Sequence, residues 1–180
     1  MGFIIGLVIG VAVVTVAVIY VTRNYMLVKY KVEGSFDKVT QAVEEVIPSF
    51  PGWGFPIPSW NFYKSQLEKN LVYNNITNMV LYFVCKPKHA NSVLSVAPQM
   101  AGIMPCTWAV YETTDGSVYI AKMNIGLMGL LFSGIIKKTM KDVAQSEEQM
   151  FAKIREKLGS SNKKRSGLFS AYRIGRSTEF

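Results

Sequence analysis

In this 180-residue sequence, the residues whose types and spacing could do chemistry together are Cys85, His89 and Cys106. His89 follows Cys85 by four positions, and Met100 and Met104 come shortly before Cys106. If an apolar strand ending at Cys85 runs antiparallel to one starting at Cys106, the two sulfurs approach each other. Thiolate, thioether and imidazole are ligands that copper(I) or haem iron recruits. Three readings of the pair stay open. Buried cysteine commonly packs as a small apolar residue, and this reading carries most weight. A disulfide is disfavoured if the domain faces a reducing compartment. A soft-metal or redox-thiol site is the third, with Cys85, Cys106 and His89 as its ligands. No C-x-x-C or H-x-x-x-H spacing fixes such a geometry, and the sequence requires no cofactor. Two cysteines and one histidine exclude a disulfide scaffold and a zinc-finger array.

Other enzyme readings have less to stand on. His89 as a base needs a nucleophile and an orienting acid, and no motif identifies either. Gly126, Gly129 and Gly134 lack the lysine of a phosphate-binding loop. Glu44-Glu45 and Glu147-Glu148 read as solvated helix faces. A ligand-binding reading puts a pocket between sheet and long helix, lined by Trp53, Trp60 and Trp108. Within the Pro- and Gly-rich stretch 51–60, however, the rings are expected more often to plug the end of a core. The residues point to binding rather than catalysis.

The elements that must position these residues are legible from periodicity. Residues 27–32 alternate loosely, as a strand does. Ser35 can cap a helix in which Phe36, Val39, Val43, Val46 and Ile47 fall at helical spacing, ending before Pro48. Residues 61–70 can form a short helix. Residues 79–84 (MVLYFV) form an apolar, β-favouring run, and a helix is expected from His89 to about Pro98. Residues 107–112 and 118–123 flank Asp115-Gly116, a strong hairpin signal. Ile136, Met140, Val143, Phe151, Ile154 and Leu158 mark the buried stripe of a long final helix, which Gly159 stops. The apolar run 126–136 (GLMGLLFSGII) is too short to span a bilayer. It is expected to supply that helix's buried first turns, or else to rest on lipid with Lys137, Lys138 and Lys141 at the headgroups.

Residues 3–21 (FIIGLVIGVAVVTVAVIYV) carry no charge, and as a helix would be ~28 Å long, near the thickness of a bilayer's hydrocarbon core. A cleaved signal peptide wants a basic start and a small-x-small cleavage site; nothing basic precedes Phe3, and Ile19-Tyr20-Val21 is bulky. An uncleaved single-pass anchor is expected over residues 1–22. Arg23, Lys29 and Lys31 follow it, so the positive-inside rule puts the C-terminal domain on the cytoplasmic side. Gly2, Gly6 and Gly10 make a G-x-x-x-G-x-x-x-G groove where another membrane helix can pack, from a second copy or another subunit. The formal net charge is +8, and residues 159–180 contribute five bases against one acid, half of that total. This tail is expected to be mobile. With Lys163, Lys164 and Arg165 near a bilayer, anionic lipid or an acidic protein face is a better partner than nucleic acid.

One stretch carries a resemblance. An apolar strand ends in Cys85-Lys86-Pro87, a helix bearing Ala90 follows, then Met104-Pro105-Cys106, then a strand with Val110-Tyr111-Glu112 and Gly116. This resembles the domain of unknown function 302 family, and Phe36-Asp37 and Gly54-Phe55 also fit its pattern. Lys86 stands where the family usually has Asn. The resemblance covers residues 27–158. It implies an α+β domain, an antiparallel sheet packed by helices of the TATA-binding-protein-like β-α-β4-α type, here preceded by one transmembrane helix; it does not imply an enzyme. The combined expectation is a membrane-anchored accessory subunit of a larger membrane assembly, a redox complex being one candidate. The rivals are a redox protein using Cys85 and Cys106, and a small-ligand-binding domain.

Overall fold

The computed structural model describes residues 2–72 and 75–159. Helix α1 (Gly2–Tyr25) is followed, after Met26 alone, by strand β1 (Leu27–Val32). Then come α2 (Phe36–Val46), β2 (Trp60–Asn61), α3 (Phe62–Leu67), β3 (Ile76–Val84) and α4 (Pro87–Leu94). The chain closes with β4 (Cys106–Thr113), β5 (Val118–Met123), α5 (Ile125–Met128) and α6 (Gly134–Lys157). Among the described residues, the five strands form one antiparallel sheet in the order β1-β5-β4-β3-β2. This is the expected α+β architecture, four strands following the first strand and helix.

Alternation decides which face of the sheet is core. Tyr82 and Val84 of β3, Trp108 and Val110 of β4, and Val118 and Ile120 of β5 are buried. They meet Val39, Ala42, Val43 and Val46 of α2, which recur at the helical period. Met140, Val143, Met150, Phe151 and Ile154 of α6 complete the core. Ser35 sits at the N-cap of α2 with extended backbone, but its side chain makes no capping bond; its carbonyl accepts the Val39 N–H instead. Between β4 and β5, Gly116 takes a φ of +75°, and the Asp115 carboxylate accepts from the Thr113 hydroxyl and from the Ser117 hydroxyl and N–H.

Two expectations need correction. Of the run 126–136, only residues 134–136 belong to the long helix. The rest falls in α5, a 3₁₀ turn at Gly129–Leu131, and a break before α6. Gly129 lies so close to α6 that an added Cβ would meet Met140 Cβ at 3.0 Å. The chain must then turn outward, leaving Leu130 66% and Leu131 73% exposed. Secondly, Glu147 is not on a solvated face, because it is 1% exposed in the core. The first helix runs past residue 22 to Tyr25 and includes Arg23.

Candidate functional site

The strand ends nearest α1 gather the residues with chemical potential. Antiparallel pairing of β3 with β4 sets Val84 opposite Cys106. Cys85, one residue on, exchanges two backbone hydrogen bonds with Gly54, each 3.0 Å. That bridge holds the Trp53 loop over the end of the sheet. Trp53, Cys85, His89, Met104, Cys106 and Met140 line one small cavity of about 50 Å³. The rings of Trp53 and His89 stand 6.0 Å apart. Cys85, His89 and Cys106, grouped in the sequence, thus line one cavity, and Trp53, which the sequence grouped with the other two tryptophans, lines it with them.

The electrostatics there favour neutral groups. Both cysteines are free thiols. Burial pushes the Cys85 thiol up. Burial pushes Cys106 up to about 12, helped by the nearby Glu147 carboxylate and opposed by Lys122. Burial, then the Lys86 ammonium, holds His89 below its usual range, so it is neutral near pH 7. Thiols of this kind are poor nucleophiles, because the thiolate is the reactive form. Among the described residues, no group of three or more His, Cys, Asp or Glu side chains is arranged to hold a metal ion.

Behind Cys106 lies a polar cluster that sequence reasoning missed. Glu147 Oε2 is 2.6 Å from Lys122 Nζ, and Glu147 Oε1 accepts from Trp108 Nε1 at 3.0 Å. Lys122 Nζ also stands 5.7 Å from the centre of the Trp108 ring. A buried ion pair is more tolerable when its atoms find further partners, as Glu147 Oε1 does in the Trp108 N–H and Lys122 in the Trp108 ring. Glu147 was findable: Met140, Val143, Glu147, Met150 and Ile154 advance in steps of three and four along α6. Only its charge argued against the buried stripe.

The remaining candidates lie elsewhere. Trp108 is fully buried and turned to Glu147, whereas Trp60 is 41% exposed on β2 and donates to Ser65. The three tryptophans thus share no pocket; Trp53 alone of them lines the cavity. Gly6 and Gly10 lie in α1 with nothing within 4 Å of where a Cβ would stand, and Gly2 begins that helix. Lys137, Lys138 and Lys141 are exposed on the first turns of α6. Lys163, Lys164 and Arg165 lie outside the described residues.

A second missed residue, Asn124, joins the helix to the domain. Its N–H donates to the Met26 carbonyl at 2.8 Å, and its Nδ2 donates to the Tyr25 carbonyl at 3.2 Å. Its Oδ1 accepts the Leu127 N–H at 3.0 Å and so caps α5. One side chain therefore fastens the last turn of α1 to the segment bearing Leu130 and Leu131.

Residues 28–158 match the family described as Domain of unknown function DUF302. The chain belongs to the DUF302 family. A crystal structure of an uncharacterized conserved DUF302 protein from Bacillus stearothermophilus is similar, with a TM-score of 0.59 and 20% sequence identity. The likeness covers 74% of this chain and 98% of that one, and it concerns the fold. No curated protein matches. The DUF302 match starts after α1, and among the described residues α1 is the one helix long and apolar enough to cross a membrane.

Proposed function

We propose that this chain is a membrane-anchored DUF302 domain that binds rather than catalyses, serving as an accessory subunit of a larger membrane assembly. The observation that carries the proposal is the Asn124 junction. It ties the end of α1 to a ledge where Leu130 and Leu131 stand exposed and Lys137, Lys138 and Lys141 follow. Apolar side chains beside lysines suit the boundary between acyl chains and headgroups. The domain then rests against the bilayer at its strand ends, on the cytoplasmic side by the charge of Arg23, Lys29 and Lys31. The open groove beside Gly6 and Gly10 gives a neighbouring membrane helix a place for close packing. The neutral thiols and the neutral imidazole weigh against a redox-thiol reading.

Native mass spectrometry of the detergent-extracted full chain, as wild type and as Cys85→Ser/Cys106→Ser, tests this. A larger assembly that survives the double substitution with its activity intact is the expected result. A protein that is extracted alone, or an activity lost with the two thiols, would overturn it.

A further inference from the structure

On the face of the sheet opposite the core helices, the strand registers set side chains in rows. Leu27, Met123, Thr107 and Phe83 form the row nearest α1; Lys29, Ala121, Ala109 and Leu81 form the next. The third row places Tyr111 beside Tyr119, stacked with ring centres 5.3 Å apart. Two alanines flanked by larger residues make a depression. The 3₁₀ turn Pro98–Ile103 and the residues Met104 and Pro105 rise along one side of it. The result is a groove of about 540 Å³, lined among others by Leu27, Phe83, Ile103, Met104, Ala109 and Met123. Its volume lies within the ~300–1,000 Å³ typical of ligand pockets.

We infer that this groove holds one acyl chain of a membrane lipid. The position selects the occupant. Leu27, a wall of the groove, comes two residues after the last residue of α1, so the groove begins where the chain leaves the bilayer. The rows climb away from that point by ~3.4 Å per residue, and the tyrosine pair stands where an entering chain would end. The near end is apolar and continuous with the lipid side, and Ala109 and Ala121 leave the width of a side chain for a slender guest. A hydrocarbon chain entering this groove exchanges one apolar environment for another, without crossing water. The inference rests on the anchored reading above.

Photolabelling of the full chain in vesicles of phosphatidylcholine bearing a diazirine at the end of one acyl chain tests it. In a flat bilayer that group sits near the midplane, so labelling of the sheet requires a chain drawn upward. The expected result is adducts on α1 together with adducts in residues 103–109 and 119–123, the latter lost in Ala109→Trp and in Ala121→Phe. Retained labelling of α1 and an unchanged thermal melt show that the variants are folded and inserted. Adducts on α1 alone would overturn the inference and leave the anchored reading standing. Adducts on neither would remove both. Unlabelled groove peptides with cross-links between two copies through the same strands would assign the groove to a second chain and overturn it as well.

Discussion

Glu147 has water on no side, and its stability rests on two partners, Lys122 and Trp108. Removing one member of a buried pair strands the other, at a cost of about 3–5 kcal/mol. Glu147→Ala should therefore lower the melting temperature sharply. Lys122→Met/Glu147→Leu, which removes both charges and keeps the volume, should recover most of that loss in the same thermal melts. A recovery no better than the single variant would contradict this account. Cys106 makes a second prediction at this scale. Its folded thiol titrates at about 12 against an ordinary 9.0, so the stability that the neutral thiol contributes is complete below 9.0. It is lost as pH climbs from there toward 12. Cys106→Ala should flatten the fall of stability with pH over that window, and iodoacetamide at pH 7.5 should modify the wild-type residue only after unfolding. The two residues differ in how far the sequence disclosed them. Cys85 and Cys106 could be set near each other conditionally, because a β-favouring apolar run ends at one, a second strand begins at the other, and both runs are local signals. Lys122 and Glu147 could not, because their contact joins a strand to a helix across the core, and neither local pattern carries that pairing.

Among the elements, α2, the β4–β5 hairpin and α6 follow from period and punctuation: a repeat of three and four, an Asp-Gly turn and a terminal glycine. The stretch from Asn124 to Gly134 does not. Its composition is uniformly apolar, and what breaks it is the close approach of Gly129 to Met140, a tertiary contact. The same stretch supplies a test. Asn124→Ala removes the α5 cap and the bond to the Tyr25 carbonyl, and a lost cap costs about 1 kcal/mol. Hydrogen exchange at the Leu127 and Met128 amides should quicken, while amides in β4 keep their protection. Leu130→Asp/Leu131→Asp, by contrast, should leave the melt unchanged, since both side chains are exposed. It should nevertheless reduce quenching of a tryptophan placed at Ile135→Trp by brominated lipids. Equal quenching with and without the aspartates would mean that the ledge does not meet the bilayer.

For the whole molecule, the DUF302 domain and helix α1 make separable demands. The anchored reading predicts that alkaline carbonate leaves the full chain with the membrane fraction; release into the supernatant would refute it. On the same reading, Gly6→Leu/Gly10→Leu should remain membrane-bound but lose the proposed helix partner in native mass spectrometry, because the added side chains hold a neighbouring backbone away. The passage from helix to sheet sets how such a partner would be oriented. Met26 is the single residue between α1 and β1, and Asn124 grips the backbone on both sides of it. A junction so short has no slack to act as a swivel. If a neighbour twists the span about its long axis, the sheet must sweep round with it like a key turned by its shaft.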